Sequence, residues 1–284
     1  MDENENIKSK APLRPQTMRH AILRATLVCT LGFFWVAFFW YTPARDWPIY
    51  EDVIKTCNAW ITDLTGARRT WRWVMRSYIF VLIPVVVLWI FGRPPKALGL
   101  GKMATHGWRI VILCFLIASP VLVWLGTLEE MHKFYGHMFR AKGWQSMLAN
   151  ALVIGVEHVY IEGVILSLAL PMGMLHAKDD PERVGRLSFL GLGHPANRPV
   201  PKGLEGFFSW IGITPYVVPA LVGQAILFGM VHSGKVSAEL ATSFPGGLGL
   251  GWLTYRIRSV WPSVILHLGT GAVILGTAYI IMKA

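Results

Sequence analysis

Charge-free apolar runs recur along most of the chain and predict membrane-spanning helices. About 20 apolar residues in a helix cross the roughly 30 Å of a bilayer's hydrocarbon core. Seven runs approach this length, some with the help of flanking residues: Ala25–Thr42, Ser77–Gly92, Ile110–Leu128, Ser146–Leu175, Phe207–Val231, Leu240–Tyr255 and Val260–Met282. The pattern predicts an all-α polytopic membrane protein, a bundle of about seven or eight transmembrane helices.

Two stretches mix aromatic with charged residues and are less clearly marked, Tyr50–Leu64 and Thr127–Arg140. Each suits a helix lying at the membrane interface or an eighth span, and the sequence leaves both interpretations open. The segment Lys178–Lys202 is rich in Pro, Gly and charge, which predicts an irregular connection.

Composition supports the membrane assignment: 54% of residues are hydrophobic and 15% charged, with a mean hydropathy of +0.46, too apolar for a soluble domain. The net charge of +11 does not indicate nucleic-acid binding, because Lys and Arg lie in short segments beside apolar runs. By the positive-inside rule these segments are cytoplasmic. We therefore predict a basic cytoplasmic N-terminal segment at 1–24 and one transmembrane domain at 25–284.

The three cysteines are widely spaced and form no C-x-x-C motif. Neither a disulfide framework nor a thiolate metal site is indicated.

Five ionisable residues interrupt the apolar runs: Glu157, His158, Glu162, His232 and His267. A charged group at the centre of a span costs about 2.5–3.5 kcal/mol on insertion scales, so such residues are neutral, paired or exposed to a wet cavity. His158 and Glu162 are four residues apart, which predicts a hydrogen-bonded pair on one helix face. A hydrogen bond between neighbouring helices explains any one such residue, whereas five such residues on three spans favour a functional site.

The segments that hold these residues, "EHVYIEG", "FGMVH" and "HLGTG", resemble in order the EExxxR, FxxxH and HxxxN motifs of the CPBP intramembrane endopeptidases. This family includes the type II CAAX prenyl proteases and bacteriocin self-immunity proteins. "PKALGLGKM" resembles the family's loop after an early span. The similarity covers about residues 94–273.

The resemblance implies roles for individual residues. Glu157 matches the Glu that activates water, His232 the His that holds this water, and His267 the His that stabilises the oxyanion. His158, Glu162 and Phe228 are supporting positions. Three residues depart from the motifs: His158 replaces the second Glu, Glu162 the Arg and Gly271 the Asn. The His158–Glu162 pair is expected to replace the family's Glu–Arg pair with reversed polarity.

We therefore predict an intramembrane endopeptidase that needs no cofactor, cleaves a membrane-tethered peptide or protein and lies in a bacterial plasma membrane, without nucleic acid as a partner. One alternative is an inactive relative that binds a membrane protein as an assembly or immunity factor. Another is a metal protein in which Glu157, His158, Glu162, His232 and His267 are the ligands.

Two further motifs are interpreted structurally. "TLEEMHKFYGH" is flanked by charge and predicts a solvated interfacial helix, despite its acids and histidines. In "PGGLGLG", Gly247 and Gly251 predict close helix packing instead of a phosphate site.

Overall fold

The computed structural model describes residues 17–41, 56, 68–103, 105–170, 203–211, 213, 215–233 and 235–283. The stretches Tyr50–Leu64, apart from residue 56, and Lys178–Lys202 lie outside these ranges, as do residues 1–16. Their predicted structures stay predictions.

The described residues form helices and no strands. The α-helices are α1 (Met18–Tyr41), α2 (Arg68–Ile90), α3 (Thr105–Gly126), α4 (Glu129–His158), α5 (Ser167–Ala169), α6 (Gly203–Trp210), α7 (Val218–Val231), α8 (Ser237–Ile257) and α9 (Trp261–Lys283). A π-helix, Val159–Leu166, joins α4 to α5 without a break, and 3-10 turns lie at Pro95–Leu98 and Pro215–Val217.

Four helices in the described part of the chain are long and apolar enough to cross a bilayer: Met18–Phe38, Gly107–Gly126, Leu148–Ala169 and Trp261–Ile281. Ser77–Ile90 and Pro215–Val231 are shorter apolar helical stretches. Together with α8, these helices overlap the seven predicted runs, of which four reach the length of a span in the described residues. The predicted all-α polytopic membrane protein is confirmed.

Two helix boundaries differ from the expectations. The run Phe207–Val231 is not one helix, because α6 ends at Trp210 and helical structure begins again at Pro215. The ring of a proline disfavours helical backbone at the residue before it. The stretch Thr127–Arg140 is not a separate helix, because α4 begins at Glu129 and continues to His158.

α4, the π-helix and α5 form one continuous helix. The C-terminal half of this helix lies in the centre of the bundle. From Tyr160 to Ser167 each side chain is buried, whereas α1, α3 and α9 expose apolar residues such as Leu23, Ile117 and Ile280. Such outer surfaces suit contact with lipid. The central helix is therefore the one that holds the ionisable cluster.

Glycines on α8 allow α7 to approach closely, as predicted. A Cβ on Gly247 would lie 3.1 Å from the Phe228 side chain and 3.2 Å from the Ala225 Cα. A Cβ on Gly251 would clash with the amide of Gln224. The amide of Gln224 donates a hydrogen bond to the Gly247 carbonyl, which fixes the two helices against each other.

Candidate active site

The central helix changes from α to π geometry at the ionisable cluster. Glu157 and His158 end α4, and Glu162 lies within the π-helix. Short π segments are rare and occur frequently at functional sites. The Gly163 Cα lies against the 3-10 turn Pro95–Leu98, because a Cβ on Gly163 would be 3.0 Å from the Leu98 carbonyl oxygen.

His158 and Glu162 form the predicted pair. A hydrogen bond of 2.7 Å joins His158 Nδ1 and Glu162 Oε2, and both side chains are 0% exposed. The other carboxyl oxygen, Oε1, is buried and has no hydrogen-bond partner. The predicted pair is therefore present as a buried hydrogen bond, and its replacement of the family's Glu–Arg pair stays a prediction.

His267 extends this pair into a chain. Its Nδ1 lies 2.7 Å from His158 Nε2, and the two rings meet edge to face at 5.0 Å between centroids. We call these three residues the Glu162–His158–His267 chain. Both ring nitrogens of His158 are thus used, and His267 keeps Nε2 for other partners.

His232 and Phe228 lie at the end of α7. The Nδ1–H of His232 donates to the Phe228 carbonyl at 2.9 Å, so a neutral His232 has its lone pair on Nε2. The Phe228 ring contacts all three imidazoles, with centroid distances of 4.4 Å to His232, 5.7 Å to His267 and 5.8 Å to His158. Phe228 is therefore the apolar spacer among the histidines.

His232 and His267 line the same cavity, which has a volume of about 580 Å³ between α3, α4, α8 and α9. Their rings are stacked at 5.9 Å between centroids. The walls are mostly apolar, and include Ile117, Val121 and Leu253. Cavities of this size with few polar groups are typical of ligand sites.

Glu157 lies apart from this cavity. Its side chain lines a pocket of about 10 Å³ with Ser77, Tyr160 and Val231, which is close to the lower limit for one water molecule. Among the described residues the Glu157 carboxylate forms no hydrogen bond, although Lys235 and Glu239 lie within its electrostatic range. The structure thus brings His158, Glu162, His232 and His267 together without a direct contact to Glu157.

Three cavity residues were missed by sequence reasoning. Glu239 accepts a hydrogen bond from the Tyr135 hydroxyl and another from Lys235 Nζ at 2.6 Å. Its Oε1 is 3.8 Å from His232 Nε2. The spacing of Lys235 and Glu239, four residues apart just after the FxxxH motif, was an available signal.

Tyr135 also changes the interpretation of "TLEEMHKFYGH". Met131 and Tyr135 line the cavity, and Glu130 accepts hydrogen bonds from Ser237 Oγ and the Ala238 amide. This face of the expected solvated interfacial helix therefore lines the cavity, and its hydrogen bonds from Tyr135 and to Glu130 connect α4 to the start of α8.

Gly271 leaves an opening where the motif has Asn. It lines the cavity, and a Cβ at this position would meet no atom within 4 Å. The neighbouring Thr270 hydroxyl donates to the Leu266 carbonyl at 2.7 Å. Gly271 therefore presents no side-chain donor to the cavity.

No group of three or more His, Cys, Asp or Glu in the described ranges is arranged to hold a metal ion. The hydrogen bonds explain this, since both His158 nitrogens and Nδ1 of His267 are already engaged. The predicted five-residue metal site gains no geometric support.

Comparison with known proteins found one similarity, in the C-terminal part of the chain. Searches of curated proteins and of solved structures returned no match. Residues 202–273 match the family model described as Type II CAAX prenyl endopeptidase Rce1-like. The matched segment contains His232, His267 and Glu239, and this part of the chain is similar to the type II CAAX prenyl endopeptidases, as the resemblance to the CPBP family predicted.

Proposed function

We propose that this protein is an intramembrane endopeptidase of the CAAX protease type. The main support is the position of His232 and His267, from two motifs, on the wall of one 580 Å³ cavity. The Rce1-like match over residues 202–273 supports the same reaction class. A mostly apolar cavity within a membrane bundle suits a membrane-tethered peptide or protein as substrate.

In the proposed reaction, the Glu157 carboxylate takes a proton from a water molecule that lies between its pocket and the cavity, where Val231 lines the pocket and the next residue, His232, lines the cavity and helps to hold the water. The water oxygen attacks the scissile carbonyl carbon, and the carbonyl oxygen becomes an oxyanion that His267 stabilises as a hydrogen-bond donor. The proton on Glu157 then passes to the leaving amine as the C–N bond breaks. General-base and oxyanion contributions of this type are each worth about a hundredfold or more.

Glu157 is preferred to Glu239 as the base because of their hydrogen bonds. Both oxygens of Glu239 already accept hydrogen bonds, from Tyr135 and Lys235, so neither is left for a water molecule. Glu157 accepts none from the described residues. Glu157 also matches the family position by sequence.

The second proposed function is a catalytically inactive relative that binds a membrane protein as an assembly or immunity factor. The specific observation in its favour is Gly271, which presents no donor to the cavity. Loss of one oxyanion donor typically lowers kcat by about a hundred- to a thousandfold.

Co-expression with candidate membrane-tethered substrates tests the protease proposal. Glu157→Gln keeps the side-chain shape and removes the base, so processing should fall by about a hundred- to ten-thousandfold at parental protein abundance. His232→Ala should also abolish processing. Glu129→Gln is the matched control, because this acid is 79% exposed on the same helix.

Glu239→Gln is the comparison that identifies the base. If processing stops in Glu239→Gln and continues in Glu157→Gln, the assigned base is wrong. If no substitution at Glu157, Glu239 or His232 affects processing, the endopeptidase proposal fails. A host phenotype that survives all three substitutions but needs the folded protein would support the binding function instead.

A further inference from the structure

The Glu162–His158–His267 chain has few places in which a proton can reside. Its two hydrogen bonds, each 2.7 Å long, use Glu162 Oε2, both nitrogens of His158 and Nδ1 of His267. Two positions are left over, Glu162 Oε1 and His267 Nε2. Each hydrogen bond contains one proton, whichever partner it is bonded to.

The net charge of the Glu162–His158–His267 chain depends on how many protons these three side chains share. With two protons, the chain has one carboxylate and two neutral imidazoles, and therefore a net charge of −1. Glu162 and His158 are 0% exposed, and no other ion pair engages Glu162 among the described residues. An uncompensated charge buried in this way is expensive. A third proton makes the chain neutral.

The third proton has two candidate sites, and they differ in their surroundings. Oε1 of Glu162 is buried without a hydrogen-bond partner, so a proton there would be an unsatisfied buried donor. His267 belongs to the cavity wall, where a ligand or water can accept a hydrogen bond from Nε2. The second site is therefore favoured.

We infer that the buried Glu162–His158 pair holds His267 in the tautomer that presents Nε2–H to the cavity. In this arrangement Nε2–H of His158 donates to Nδ1 of His267, and the remaining proton of the Glu162–His158 bond is shared between those two groups. Glu162 and His158 are positioning residues. They act on a ligand only through His267.

The inference specifies the ligand chemistry at this point of the cavity. Nε2–H is a donor, so it matches a carbonyl oxygen or an oxyanion and not a cation, which would need the lone pair. As an oxyanion donor in peptide hydrolysis, His267 depends on the proposed function. The position of the proton does not, because it follows from the burial and the hydrogen bonds.

The tautomer of His267 is measurable by nuclear magnetic resonance. The full-length protein is labelled with ¹⁵N at histidine and reconstituted in lipid nanodiscs. Protonated and lone-pair ring nitrogens have well separated ¹⁵N shifts. The His267 signals are assigned by their loss in His267→Gln. We expect protonated Nε2 and lone-pair Nδ1 at His267, and a coupling across the hydrogen bond from His158 Nε2–H.

A substitution tests whether Glu162 sets this state. Glu162→Leu removes the carboxyl group, so the two neutral imidazoles of His158 and His267 have two protons between them and a proton on His267 Nε2 is no longer required. We expect a lone-pair signal at His267 Nε2 in a measurable share of molecules. Glu129→Leu, an exposed acid on the same helix, should leave the His267 signals unchanged.

A lone pair on His267 Nε2 in the parent protein would overturn the inference, and so would a fully protonated Nε2 in Glu162→Leu. If the leucine variant does not fold, the direction of the His158–His267 hydrogen bond in the parent decides the question. The measurement needs no substrate, so a protein without proteolytic activity can still show the expected tautomer, and an active protease can lack it.

Discussion

Gly271 is the residue on which the two proposed functions differ most. Because a Cβ there meets no atom within 4 Å and the position lines the cavity, Gly271→Asn can introduce the motif's amide without a clash. Asn is no worse than Gly in a helix. If the protein is an endopeptidase limited by its oxyanion site, processing should rise in this variant by up to about a hundredfold.

The rate of substrate processing in co-expressing cells measures this effect. Gly276→Asn is the control, because it makes the same change in the same helix at a glycine whose Cβ also meets nothing within 4 Å. No gain, or an equal gain in both variants, would contradict an oxyanion limitation at Gly271.

At the scale of one element, two of the glycines in the helix from α4 through the π segment, Gly155 and Gly163, lie in different surroundings. A Cβ on Gly163 would lie 3.0 Å from the backbone oxygen of Leu98, whereas one on Gly155 would meet nothing within 4 Å. Gly163→Ala should therefore displace the Pro95–Leu98 turn and destabilise the protein by about 1–3 kcal/mol.

Thermal unfolding in detergent measures this prediction against Gly155→Ala, which should be neutral or slightly stabilising, because Ala favours helix over Gly by about 1 kcal/mol. A Gly163→Ala melting temperature equal to that of Gly155→Ala would show that the contact with Leu98 does not constrain the π segment.

For the whole molecule, the charge pattern predicts the orientation in the membrane. In the described residues, three predicted spans, α1 to α3, lie between residues 1–16 and Thr127, and a fourth precedes Lys178–Lys202. The basic segments then share the cytoplasmic side. In a variant without native cysteines, Cys at Ser9 and Ser188 should label from the cytoplasm, and Cys at Thr127 from the opposite side.

Impermeant thiol reagents applied to intact cells and to inverted vesicles make this measurement. Labelling of Ser9→Cys and Ser188→Cys from opposite sides would show that the number of spans between them is odd, and would refute the seven-helix alternation.

Local patterns determined the helices and one pair of side chains. Apolar runs specify spans because a helix satisfies its own backbone hydrogen bonds in lipid, so α1, α3 and α9 were predictable. The His158–Glu162 pair was predictable because residues four apart on one helix are neighbours. The break at Pro215 and the continuity of α4 were missed, since helix boundaries depend on packing as well as on composition.

The tertiary structure alone decided which ionisable groups meet. His158 and His267 are 109 residues apart, and Tyr135 and Glu239 are 104 apart, so no local spacing predicts either contact. Family motifs placed Glu157 with His232 and His267. The packing of α4 against α9, and of the π segment against α7, directs His158 toward His267 and leaves Glu157 at a separate pocket. Sequence determines which groups a helix presents, whereas contacts between helices, set by side-chain volume and by close approaches at glycines such as Gly251, determine their partners.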